Sequence, residues 1–134
     1  MVTGVNQFSE ISLDTNIAIE VLNANSSVKN YFVGVSKIYL PVTVVGELLW
    51  GAKNSSKAEE NLVKYKNFIS GCEVLNVTSQ VADVYSSVKT HLKKIGKPIP
   101  ENDIWIAAIC IANNVALITK DADFNNIPEL QKIS

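Results

Sequence analysis

The sequence predicts an α/β fold: a three-layer α/β/α sandwich around a central, mainly parallel sheet of about five strands. Three observations carry this. Short apolar runs of strand length alternate with longer segments of helical apolar spacing, the order of elements that builds parallel sheets. The run at 115–119, VALIT, is apolar apart from its threonine, as a strand buried on both faces must be. Carboxylates recur where strands end and helices begin, the edge at which an open α/β sheet keeps its ligands. With 134 residues there is enough chain for one domain with a sizeable core, and residues 1–134 are read as a single domain.

The first strand is expected over 8–13. It ends at Asp14, and Asp14 or Thr15 caps a helix over 17–22. A turn at 23–26 leads to a short helix over 27–33, which stops near Gly34. A second strand, 37–40, is closed by Pro41, a residue suited to helix entry. From 42 to 52, Val44, Val45, Leu48, Leu49 and Ala52 repeat with helical spacing, and Glu47 is set among them. After a break at 53–56, a helix over 57–69 turns Leu62, Tyr65 and Ile69 inward and pairs Glu60 with Lys64 one turn on. Gly71 ends it, and 74–77 is the third strand.

Thr78 caps the clearest helix. Val81, Val84, Tyr85, Val88, Leu92 and Ile95 form one stripe, lysines gather near its end, and Gly96 stops it. Pro98 and Pro100 stiffen the approach to a polar turn, Glu101-Asn102-Asp103. The helix over 104–112 is apolar nearly all round, so it should be largely buried, with Asn113-Asn114 at its end. Strand 115–119 is followed by Asp121 and Asp123, and the tail over 127–134 is expected to hold a last short edge strand.

Composition narrows the function classes. The net charge is −1 and every basic residue is lysine. A near-neutral chain does not advertise nucleic-acid binding, and the lack of arginine excludes bidentate phosphate clamps within the chain. No apolar run reaches membrane-spanning length, and the N-terminus has neither a basic region nor a long apolar core, so no membrane association and a cytoplasmic location are expected. Cys72 and Cys110 are too few and too far apart for a disulfide scaffold or a zinc knuckle, and read as two small buried hydrophobes. The sole histidine, His91, is expected on the surface or at the core edge, which argues against acid–base catalysis by imidazoles.

The acids carry the chemistry. Asp14 closes the first strand and Asp121 follows the fourth, so a parallel sheet brings both to its carboxyl edge. Asp103 opens a helix that starts near that edge. Glu47, among valines and leucines, calls for a partner, either a metal ion or a lysine. Each alone has a plainer reading: a cap for Asp14 or Asp103, an escape to solvent for Glu47, a loop turn for Asp121 and Asp123. Together they describe an all-oxygen site for Mg²⁺ or Mn²⁺, an ion that can activate water and neutralise a phosphodiester.

Four segments then show a family likeness: LDTN at 13–16, LPVTVVGELLWGA at 40–52, IPENDIWIAA at 99–108 and ALITKDADFNNIP at 116–128. In this order and spacing they resemble the signatures of the PIN-domain family, and more narrowly its VapC-like toxin ribonucleases. The likeness runs from about Ile11 to Leu130. It implies a parallel sheet in the order 3-2-1-4-5 and metal-dependent endonucleolytic cleavage of RNA, often tRNA or rRNA. It places the family's catalytic and metal-holding acids on Asp14, Glu47, Asp103 and Asp121, with Asp123 as a further metal-holding acid. Asn16 matches the polar residue that supports the first acid, and Thr119 the hydroxyl before the last. The implied partners are an RNA substrate, a small antitoxin protein and a second copy of the chain in a homodimer.

Two departures stand out. Many members carry a hydroxyl three residues before the helix glutamate, where this chain has Val44, with Thr43 one position earlier. Many also have arginine near the site. Lysines must serve here: Lys53, Lys57, Lys93, Lys94, Lys97 and above all Lys120, which adjoins Asp121. Trp50, Trp105 and Phe124 sit in apolar segments and are expected to pack in the core rather than stack on bases. The first seven residues precede the family's usual start and are expected to be dispensable. The rival readings are a catalytically silent PIN-like interaction module, an acid-rich phosphatase or receiver-like signalling domain, and a structure-specific DNA nuclease. The second is weakened because Thr15-Asn16 follow Asp14 without the acid two residues on that such phosphotransfer sites use.

Overall fold

The computed structural model describes residues 8–134; the N-terminal seven, and the expectation placed on them, lie outside that range. The elements are β1 (Glu10–Leu13), α1 (Thr15–Leu22), a 3₁₀ helix (Ser26–Phe32), β2 (Lys37–Pro41), α2 (Val42–Lys53), α3 (Ala58–Ser70), β3 (Glu73–Leu75), α4 (Ser79–Lys94), α5 (Glu101–Ala112), β4 (Ala116–Ile118), a second 3₁₀ helix (Ala122–Asn126) and β5 (Lys132–Ile133). The five strands form one sheet in the order β3-β2-β1-β4-β5, and every pairing is parallel. Helices cover both faces, giving the expected α/β/α sandwich.

The topology fixes where a site can form. The chain steps outward from β1 to β2 and β3, then crosses back to β4 on the other side of β1. The β1–β4 junction is therefore the switch point, where crevices open at the carboxyl edge. Both strands are buried there: Ile11, Leu13, Leu117 and Ile118 are inaccessible to solvent. Their register sets Leu13 beside Ile118, so the next residues, Asp14 and Thr119, emerge side by side.

Several boundaries differ from the sequence reading, each for a local reason. β1 begins at Glu10, where pairing with Lys37 starts, and Phe8 packs against the core ahead of it. The segment expected as a helix over 27–33 is a tight 3₁₀ turn, opened by the Asn25 side chain accepting from Ser27 N at 2.9 Å; its serines and asparagine favour such local bonds over an α-helix. β3 spans Glu73–Leu75 rather than 74–77, because its partner ladder ends at Pro41, where the chain turns into α2. Val77 is left exposed. The Glu60–Lys64 pair is not among the ion pairs of the described residues, and α3 buries no residue fully.

Other expectations hold. Thr78 caps α4 by accepting from Val81 N at 3.2 Å, and Gly96 adopts φ +68°, the left-handed turn glycine permits most freely. Ile95, at the end of the expected stripe, is nonetheless exposed. α5 is the most buried helix, with Ile104, Ile106, Ala107, Ala108, Ile109 and Cys110 all in the core. Both cysteines are free, Cys110 buried and Cys72 partly so. Among the described residues no helix is long and apolar enough to cross a membrane.

Candidate active site

At the β1–β4 edge the acids come together. Asp14 is buried and serves two roles. Its Oδ1 accepts from Ile17 N at 2.9 Å and so caps α1; its Oδ2 accepts from the Thr119 hydroxyl at 2.5 Å. Thr119 Oγ1 in turn accepts from Asp121 N at 3.0 Å. One buried hydroxyl thus ties the end of β1 to the segment after β4. Asp121 Oδ1 accepts from Asp123 N at 2.9 Å and caps the second 3₁₀ helix, an element the sequence reading did not foresee. An aspartate two residues before a backbone N–H is the signal that could have shown it.

α5 starts three residues earlier than expected. Pro100 takes the cap position and its carbonyl accepts from Asp103 N at 3.0 Å, so Asp103 lies within the first turn rather than in a polar turn ahead of it. The helix dipole favours a carboxylate there. Partial burial wins nonetheless and, with the negative charges of Asp121, Glu47, Asp14 and Asp123, pushes the Asp103 carboxyl up to about 6. Asp14 is also raised, first by burial and further by Asp121 and Glu20, against the lowering hydrogen bonds from Thr119 and Ile17. Asp103 therefore senses all four of the other expected acids.

Glu47 is exposed on α2 rather than buried, and no lysine pairs with it among the described residues. Its Oε1 accepts from the Thr15 hydroxyl at 2.7 Å and from the Asn102 amide. Both donors use the same oxygen, so neither bond occupies Oε2. The reason for the exposure is periodicity: Val44, Leu48 and Ala52 take the buried face of α2, so Glu47 falls on its flank, at the solvent boundary. Val44, which replaces the family's hydroxyl, is fully buried, in keeping with its apolar side chain. Sequence reasoning missed Thr15, Asn102 and Glu20. Asn102 was legible as the neighbour of Asp103, and Glu20 as the residue one helical turn after Asn16.

Asn16 is exposed and lines a groove of about 480 Å³ together with Asp14, Ile17, Ile19, Glu20, Lys120 and Asp121. No hydrogen bond joins it to Asp14 among the described residues. Lys120 Nζ sits 3.2 Å from both Glu20 carboxylate oxygens and 3.1 Å from the Ser27 hydroxyl. Lys53, Lys57, Lys93, Lys94 and Lys97 line neither this groove nor its neighbour beside Glu47. Glu101 is spent on an exposed pair with Lys89 at 3.1 Å. His91 lies in a surface cleft with Thr90 and Lys94, away from the acids. Of the aromatics, Phe124 is buried as expected and Trp105 stacks on Tyr85 with ring centroids 3.8 Å apart. Trp50 is the exception: it is 70% exposed.

As they stand, no three acid, histidine or cysteine side chains among the described residues close into a complete metal cage. The donors gathered are all carboxylate oxygens, with no histidine or thiolate among them, and such a hard set suits Mg²⁺ or Mn²⁺, which keep several waters of their own.

The model of the PIN domain matches residues 11–130. The chain belongs to the PIN-domain family. Within it the chain is VapC-like. A Rickettsia felis protein named ribonuclease VapC2 is 32% identical over 130 residues, covering 90% of each chain. Among solved structures, DNA-bound VapBC from Salmonella typhimurium matches this PIN domain with a TM-score of 0.86 at 26% identity, over 94% of this chain and 98% of that one. VapBC2 from Rickettsia felis, bound to a DNA fragment from its promoter, gives 0.83 at 29% identity, over 92% and 97%.

Proposed function

We propose that this PIN domain is a Mg²⁺- or Mn²⁺-dependent endoribonuclease, the toxin of a toxin–antitoxin pair. The observation that carries it is that one sheet edge joins Asp14 to Asp121 through Thr119 and Asp121 to Asp123, with Asp103 close enough to Glu47 and to these three for their charges to raise its carboxyl. Like charges so arranged are stable together only with protons or cations among them. The relatives named ribonuclease and VapBC support the reaction and the partner.

Asp14, Glu47, Asp103 and Asp121 would hold the ion, with Asp123 as a further ligand. When bound, it supplies charge neutralisation and a water of lowered pKa. The chain supplies the rest. Thr119 and Ile17 N orient Asp14, and Thr15 and Asn102 hold Glu47 by Oε1 and leave its other oxygen to a ligand. Asp103, whose carboxyl is raised by burial and by the charges of the other four acids, is the group whose charge a bound cation would relieve most. Lys120, on the rim, is placed to meet a substrate phosphate in competition with Glu20. The family likeness extends the proposal to a small antitoxin as inhibitor and to a homodimer, in the cytoplasm.

The test is cleavage of structured RNA in Mn²⁺ by the wild type, Asp14→Ala and Asp103→Ala. Expected is a loss of at least about 100-fold in each variant. Equal rates in all three would place the activity elsewhere. The second reading, a silent interaction module, rests on the incomplete cage and requires that the wild type itself be inactive.

A further inference from the structure

Beside the acids runs a second groove, of about 580 Å³, between α1 and α2. One stripe of α2 forms its wall: Thr43, Gly46, Glu47, Trp50 and Gly51 recur at three- and four-residue intervals, so they share a face. Trp50 lies one turn beyond Glu47. A tryptophan in an apolar helical segment normally buries its ring, yet this one is 70% exposed while Leu48 and Ala52 beside it are 1%. The ring has open space around it. A Cβ at Gly46 or at Gly51 would meet nothing within 4 Å. At the acid end of the groove stand the amides of Asn16 and Asn102, donors and acceptors suited to the edge of a base.

We infer that this groove is a nucleobase subsite, in which Trp50 stacks on an unpaired base of the RNA adjacent to the phosphate at the acids. The inference rests on the ribonuclease reading and deepens it: the substrate class becomes RNA with a single-stranded or splayed-out nucleotide at the cleavage point. Two points favour a base over a protein side chain as occupant. Glu47 lines the groove and belongs to the acid cluster, so the subsite is continuous with the reacting centre. A chain without arginine and with its rim lysine paired to Glu20 has little phosphate affinity to offer, and stacking supplies binding that needs no positive charge.

The test uses the full chain. In an Asp103→Asn, Trp105→Phe background, Trp50 is the only tryptophan and the RNA is expected to remain intact. A single-stranded RNA decamer should then quench its fluorescence saturably. Trp50→Ala should weaken decamer binding, read by anisotropy, roughly 10-fold or more, while Trp50→Phe restores most of it. In the active chain Trp50→Ala should raise KM with kcat little changed. Gly51→Leu, whose Cβ meets nothing within 4 Å and which favours the helix, should fill the groove and give the same loss in a folded protein.

Cleavage and binding unchanged in both Trp50→Ala and Gly51→Leu would overturn the subsite and leave the ribonuclease reading intact. Quenching by RNA with no cleavage by the wild type would overturn that reading and keep the subsite. No quenching by RNA, but quenching by a co-expressed inhibitor protein, would give the groove to a partner and overturn the inference.

Discussion

Asp103 is the residue whose environment says most. Its ordinary carboxyl value is 3.8 and the fold raises it to about 6, so the folded state holds its proton more tightly than the unfolded chain. For such a group stability is highest while the proton is on, at low pH. It falls as pH rises from about 4 through about 6 and levels off above. Asp103→Asn should therefore match the metal-free wild type near pH 4 and exceed it at pH 7 by about 1–2 kcal/mol, allowing for partial solvent screening. Urea denaturation at both pH values reads this, and a difference independent of pH would contradict the assignment. The acids themselves were legible in the sequence because each stands at a position where a strand or helix ends. Glu47 was legible in identity but not in setting: its apolar neighbours pointed to burial, and only the partition of α2 into two faces shows that it looks outward. Trp50 misled for the same reason.

At the scale of elements, the site depends on two strand ends held in register. Thr119 is the side chain that joins them, buried between Asp14 Oδ2 and Asp121 N. Thr119→Val keeps the shape and the β4 backbone but removes both bonds. Expected is a folded protein with activity or metal affinity lowered about 10- to 100-fold. Circular dichroism and RNA cleavage together check it; a fully active, folded Thr119→Val protein would show that the hydroxyl has no positioning role. The elements were mostly legible, since α4 carries clear periodicity and a cap while α5 and β4 stand out as apolar runs between polar breaks. What was hidden depends on neighbours. β3 is cut short by the end of its ladder at Pro41, and the 3₁₀ helix after Asp121 arises from a side chain bonding two residues on. Neither leaves a mark in hydrophobic spacing.

Over the whole molecule, sheet order decides function. Strand order 3-2-1-4-5 was implied by family likeness rather than by any one segment, and the observed pairings agree with it. That order puts a switch point between β1 and β4, where acids separated by more than a hundred positions, Asp14 and Asp121, meet through Thr119. Lysine placement was the least legible feature, because long surface side chains obey no period. The most direct measurement is calorimetric titration of metal-free protein with Mn²⁺ at pH 7, for the wild type and for Asp14→Asn with Asp103→Asn. Expected is saturable binding by the wild type, lost in the double variant. No binding by the wild type, or equal binding by both, would contradict the acid cluster as the metal-holding centre.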